Sequence, residues 1–185
     1  MLRIAGPIVI REGLVDGTPR STALAIGGHS LRQLATFAGV DLATPFSAGE
    51  DTPELGDVDA PVVLDGGAAA ALLSWLHVGS VALDRVMSHV IDPSLVQVWP
   101  EHFDVGLDVA TALGRVNLGA SPGDAAIPVP YLYVAPWERH RPGDPASWNA
   151  PFGAVELRSE GQAARDEVER AVAFFEARLR LLAGG

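Results

Sequence analysis

Between residues 96 and 157 the chain carries four segments of strand character, 96–109, 112–118, 131–135 and 154–157, separated by Gly- and Pro-rich turns. A parallel pairing needs a long crossover, usually a helix, so strands that follow one another directly favour an antiparallel sheet. Helical patterns flank this run. At 65–90, Asp65 can cap a helix in which Ala68, Ala71, Leu72, Trp75, Gly79, Ala82, Val86 and Val90 keep 3-and-4 spacing, while Leu73, Leu76, Val81, Leu83 and Met87 make much of the rest apolar. Such a helix is expected to be covered on more than one side. Its narrow polar stripe, Ser74, His77, Ser80, Asp84 and Ser88, reads as a solvent strip, with His77 and Asp84 facing a cavity as the alternative. At 160–183, Ser159 and Gln162 have capping-box spacing before an apolar stripe of Ala164, Val168, Ala171, Val172, Phe175, Leu179 and Leu182. Asp166 with Arg170, and Glu176 with Arg180, stand at i,i+4 on the other face.

The expected architecture is therefore α+β: an antiparallel sheet covered by a long central helix and a C-terminal helix. A sheet gripped by a terminal helix resembles, at fold level, the cavity-forming helix-grip domains. The N-terminal region adds a strand at 2–10, interrupted near Gly6 and Pro7, and another at 22–26 beyond an Asp16-Gly17 turn, pairing as a hairpin. A short helix follows from Ser30 and Gln33, with Gly39 as its stop. Residues 40–60 form an acidic, Pro- and Gly-rich loop without basic residues, read as a solvated connector, with a mobile lid as the alternative. With 185 residues the expectation is a single globular domain, 1–185.

Composition closes several chemistries. All thirteen basic residues are arginine, so there is no lysine for a pyridoxal phosphate Schiff base or a P-loop. Cysteine is absent as well, which excludes thiol catalysis, thiolate zinc and iron–sulfur ligation. A net charge of -10 repels phosphate backbones and anionic bilayers, so neither nucleic acid nor membrane is an expected partner. The first residues lack the apolar core of a signal peptide, and the apolar segment 67–90 is broken by His77, Asp84, Arg85, Ser88 and His89, so a cytoplasmic protein is expected.

The remaining chemistry concentrates in one quarter of the chain. Val98-Trp99-Pro100-Glu101-His102-Phe103-Asp104 places His102 and Asp104 on one face of a strand, where the carboxylate can orient the imidazole. The turn Ser121-Pro122-Gly123-Asp124 can bring a second carboxylate near, so His102, Asp104 and Asp124 are candidates for acid–base groups or for ligands of a divalent metal. A structural His–Asp pair explains the same spacing. Gly119-Ala120-Ser121-Pro122-Gly123 matches the hydrolase elbow G-x-S-x-G, but Pro122 has no N–H for an oxyanion hole and no helix pattern follows, so its glycines read as turn residues. Tyr131 and Tyr133 share a face and Trp137 continues their register; Trp99, Ser121, Tyr131 and Tyr133 are the candidate ligand-binding residues. Trp148 to Phe152 reads as a loop packed over the sheet, and Glu138 and His140 as solvated. Gly27, Gly28, His29 and Ser30 at a helix start give a weak anion signal.

Trp99-Pro100-x-His102-Phe103-Asp104, followed by Asn117-x-Gly119-x-Ser121-x-Gly123-Asp124 and Pro128-x-Pro130-Tyr131-x-Tyr133, resembles an uncharacterised bacterial family with W-P-x-H-F-D and N-x-G-x-S-x-G-D-x-x-x-P-x-P-Y-x-Y segments. The resemblance covers residues 97–137 and implies a recurring unit, with no substrate attached. Together these readings predict a small-molecule pocket on the 98–104 and 121–124 segments, which would use His/Asp acid–base or metal-assisted chemistry if it is an active site. The alternative is an interaction or homodimerisation module in which the same residues lock turns.

Overall fold

In a computed structural model of the chain, residues 1–43, 54–99, 102–159, 161 and 163–184 are described. They form two compact units, Met1–Leu73 and Ser74–Gly185, and the division falls within a helix.

In the first unit, strands β1 (Leu2–Ala5), β2 (Ile8–Val15) and β3 (Thr18–Ala25) form an antiparallel sheet in chain order. The interruption at Gly6 and Pro7 is a hairpin turn with Gly6 at φ 59°, so the segment expected as one strand is two. Asp16 and Gly17 take φ 50° and 73°, positive at both positions as a type I′ hairpin requires, and β3 begins directly after them rather than at residue 22. Helix α1 (Leu31–Ala38) has the expected capping box: Gln33 N donates to Ser30 Oγ at 3.2 Å and Ser30 N to Gln33 Oε1 at 2.8 Å, with Gly39 ending the helix at φ 76°. Against the anion reading of Gly27 to Ser30, the amides of Gly28, His29 and Ser30 are committed within the fold. Gly28 N donates to Val62 O at 2.9 Å, and Arg32 pairs with Asp59 through bonds of 2.6 and 3.0 Å. That pair also ties down one end of the acidic loop, whose residues 44–53 lie outside the described ones.

In the second unit, β4 (Gln97–Trp99), β5 (Asp104–Thr111), β6 (Gly114–Ser121), β7 (Tyr131–Pro136) and β8 (Ala154–Leu157) form an antiparallel meander in chain order. With helices α2 (Gly66–Met87) and α3 (Ala164–Leu182), the fold is α+β. Side chains alternate across a strand. Val105, Leu107, Val109, Val116, Leu118, Ala120, Leu132, Val134 and Ala154 therefore share one buried apolar face. Asp104, Gly106, Asp108, Asn117, Gly119, Ser121, Tyr131 and Tyr133 share the other.

Both helices cover the aliphatic face. A Cβ on Gly79 of α2 would lie 2.6 Å from Ala120 Cβ and Val105 Cγ1, so the missing side chain lets the helix backbone settle onto the sheet. Phe175 of α3 is fully buried, and Arg85 of α2 reaches Glu169 of α3 at 2.8 Å. Asp65 caps α2 by accepting Ala68 N at 2.8 Å. Its buried residues start only at Trp75, since Gly66, Gly67, Ala68, Ala70 and Ala71 are exposed, so the expected covering on several sides holds for the later turns alone. His77 and Asp84 are exposed, as a solvent strip requires. Asp84 and Arg85 do not break the helix's apolar character enough to fail the length and hydropathy test for a membrane span, yet the buried residues of α2 pack on a sheet as those of a core helix do.

Helix α3 starts from Ala163 without a side-chain cap, and Ser159 instead accepts a bond from Arg170; Gln162 lies outside the described residues. Arg170 also reaches Glu156 of β8 at 2.5 Å instead of pairing with Asp166, while Glu176 and Arg180 do pair, at 3.7 Å. The likeness to helix-grip domains stops here. Helices and aliphatic residues are on one side, and the polar face of the sheet is left for other work.

Candidate functional site

The polar face is built from the glycines outward. Gly106 and Gly119 are cross-strand partners in the middle of β5 and β6, neither in a turn, which corrects the turn reading of Gly119. A Cβ on Gly106 would lie 2.6 Å from Trp99 Cδ1, and one on Gly119 would lie 2.6 Å from Tyr133 Cε1. The two glycines are thus the floor on which the Trp99 and Tyr133 rings lie down. Lying down brings the Tyr133 hydroxyl to Asp104 Oδ2, to which it donates.

The 98–104 segment is not a single strand. β4 ends at Trp99, β5 starts at Asp104, and Trp99 and Asp104 are cross-strand partners. His102 and Phe103 lie in the intervening turn, with Phe103 at φ 54°, a left-handed conformation that bulky residues rarely adopt. His102 and Asp104 therefore do not share a strand face through i,i+2 parity, as the sequence suggested. His102 is exposed, whereas Asp104 is only 4% exposed.

At the other end of the face, Ser121 is buried and accepts Gly123 N at 3.1 Å, while its carbonyl accepts Trp75 Nε1 from α2 at 2.7 Å. Gly123 has φ 110°, which glycine adopts without strain, and the turn it makes delivers Asp124. Asp124 Oδ1 accepts the amides of Ala126 and Ile127, each at 2.7 Å, and Oδ2 accepts the Tyr131 hydroxyl at 2.6 Å.

These bonds set the protonation states. The Tyr131 bond above all, with the two amides and the nearby His102, holds the Asp124 carboxyl below its ordinary range, although partial desolvation opposes this. An Asp stabilised as its anion is a weak base, which argues against general-base work by Asp124. Burial, then the bond to Asp124, pushes Tyr131 up to about 12. Burial, then the charge of Asp104 and the bond to it, pushes Tyr133 up as well. Both phenols are thereby held as donors at neutral pH.

His102, Asp104, Ser121, Asp124, Tyr131 and Tyr133 line one open cavity of about 270 Å³, together with Asn117, Ala135 and Phe152. Six of the seven candidate site residues thus meet in one place. Trp99 does not line it and instead packs over Gly106. Among the described residues, no three His, Asp or Glu side chains group closely enough to hold a metal ion, so His102, Asp104 and Asp124 do not assemble the triad that the sequence suggested. Asn117 and Phe152 are wall residues that were not singled out as candidates from the sequence. Asn117 has the strand parity of Ser121, which was signal enough, and its Oδ1 accepts Trp137 Nε1 at 3.1 Å. Phe152 is placed by a tight turn in which Ala150 and Gly153 exchange bonds of 3.0 and 3.1 Å, and Asn149 anchors that turn by bonding both N and O of Val155.

A larger groove, about 480 Å³, runs between His89, Ile91, Ala110, Ala112, Leu179 and Ala183. Two of its rim side chains, His89 and Arg180, already face Glu176, at 3.4 and 3.7 Å, so it offers apolar area with little directional chemistry. The polar cavity has the convergent hydrogen-bonding groups that recognition requires. No family model, curated protein or solved structure matches the chain.

Proposed function

We propose that the second unit binds a small polar organic molecule in the cavity walled by His102, Asp104, Asn117, Asp124, Tyr131, Tyr133 and Phe152. The observation that carries this reading is the convergence of side chains from the 102–104, 117–124, 131–133 and 152 regions around one open cavity on the sheet face that the helices leave uncovered. Burying Asp104 to 4% exposure costs free energy that an aliphatic residue would not, and setting two rings onto paired glycines gives up the side-chain packing of two strand positions. A sheet face selected for stability alone has no use for either feature. If the bound molecule is turned over, His102 is the acid–base group, since Asp124 is held as its anion and both tyrosines are committed as donors.

Fragment binding followed by amide and side-chain NMR shifts tests this directly. Small polar fragments are expected to move the resonances of Asn117, Tyr131, Tyr133 and Phe152. His102→Ala is expected to keep the native spectrum, because His102 is exposed, and to weaken those fragments by about tenfold, the loss of one directed hydrogen bond. Shifts confined to the groove around Ile91 and Leu179, or shifts that track protein concentration instead of fragment concentration, would contradict the pocket and favour an interaction module.

A further inference from the structure

We infer that the cavity on the polar face selects a small organic cation, a primary ammonium carrying an apolar group; this rests on the pocket reading above and names its ligand class. Tyr131 gives its proton to Asp124 Oδ2 at 2.6 Å, and Tyr133 gives its proton to Asp104 Oδ2. Ser121 accepts Gly123 N at 3.1 Å. Both phenols on the wall have therefore spent their protons inside the wall. What the two phenols and Asp124 turn to the cavity is oxygen lone pairs, which are acceptors, and Asp104 adds its negative charge from behind Tyr133.

Donors are few. His102 supplies a ring N–H, and Asn117, with Oδ1 committed to Trp137 Nε1 at 3.1 Å, has Nδ2 left to donate. The chain has no lysine, and among the described lining residues there is no arginine. Arg115, on the same sheet face, is engaged by Asp108 and by Asp92 at 2.7 Å. An anionic ligand would meet two carboxylates against one imidazole and one amide. An ammonium group, with three donors and no acceptor, matches the wall. Phe152 and Ala135 give the lining its apolar surface. A volume of about 270 Å³ lies just below the range of about 300–1,000 Å³ usual for ligand pockets, so the cation is small.

Calorimetric titration of the intact chain with phenethylammonium, 2-phenylethanol and 3-phenylpropanoate separates charge from shape. Phenethylammonium is expected to bind one per chain, at least about tenfold more tightly than the alcohol, with no measurable binding of the carboxylate. Asp124→Asn keeps an oxygen for the Ala126 and Ile127 amides, so the turn is retained, and it should weaken the ammonium at least about tenfold while changing the alcohol less than about twofold. Equal or tighter binding of the alcohol or the carboxylate, or an ammonium affinity unchanged in Asp124→Asn, overturns the cation and leaves the pocket standing if the NMR shifts still map to Tyr131 and Tyr133. No binding by any of the three, with no cavity resonance moved by any fragment, overturns both.

Discussion

Trp75→Ala is expected to lower the unfolding free energy by about 3–5 kcal/mol, the range for removing a large aromatic from a core. Trp75 is 3% exposed on α2, and the truncation removes three things at once. The cavity left beneath the sheet loses the dispersion contacts of a full indole. The Ser121 carbonyl loses the Nε1 donor that it accepts at 2.7 Å within the core. The Arg158 guanidinium, 5.0 Å from the ring centroid, loses its cation–π partner while remaining paired with Glu167 at 2.7 Å. Ser121 connects this back-side loss to the site, because it also organises the turn that carries Asp124. Urea unfolding of Trp75→Ala should therefore show the large drop in midpoint, and NMR should show the Tyr131 and Asp124 environments disturbed. A loss under about 1 kcal/mol would place Trp75 outside the core, against its burial.

Gly119→Ala is expected to act from the opposite side of the same sheet. The new methyl would lie 2.6 Å from Tyr133 Cε1, closer than any real Cβ contact, so the ring must rise off the strand. Overpacking of this kind costs about 1–3 kcal/mol. Lifting the ring also pulls the hydroxyl away from Asp104, a buried carboxylate whose loss of that donor costs about 1–3 kcal/mol more. The combined variant Gly119→Ala with Tyr133→Leu relieves the clash but not the missing donor. It should recover the first part and not the second, which a comparison of the two variants by urea unfolding resolves. If Gly119→Ala is as stable as the parent, Tyr133 does not lie on the glycine floor.

The strands were legible because their pattern has period 2 and their turns carry glycine or proline; 154–157 was read with both ends right, and 131–135 is one residue short of β7. The hairpin between Trp99 and Asp104 was not legible. Its left-handed position is occupied by Phe103, and nothing in the sequence marks an aromatic for φ 54°. Glycine has two meanings in a strand protein, a turn or a space, and the local sequence does not choose between them. Gly123 is the first kind and Gly119 the second; only the register that pairs Gly119 with Gly106 beneath two rings reveals it. The site's members were legible as an ordered set of His, Asp, Ser and Tyr. Their pairing was not: strand parity suggested His102 with Asp104, whereas folding gives Asp104 to Tyr133 and Asp124 to Tyr131. Which face the helices take could not be read either, because α2 is apolar on most of its surface and the close approach depends on one glycine, Gly79.

Two tyrosine–aspartate pairs, with the phenols held as donors, wall the cavity. The chain contains two tyrosines, and both are in the site, so tyrosinate absorbance during an alkaline titration reports on nothing else. Because the folded Tyr131 is raised above its ordinary value of about 10, its contribution to stability is complete below pH 10 and is lost as pH rises from there toward about 12. With far-UV circular dichroism recorded on the same samples, the prediction is that no tyrosinate forms near pH 10 while the fold is intact, and that Tyr131 ionises only at about 12, with Tyr133 later still. Half of the total absorbance change appearing near pH 10 with a native dichroism spectrum would contradict it.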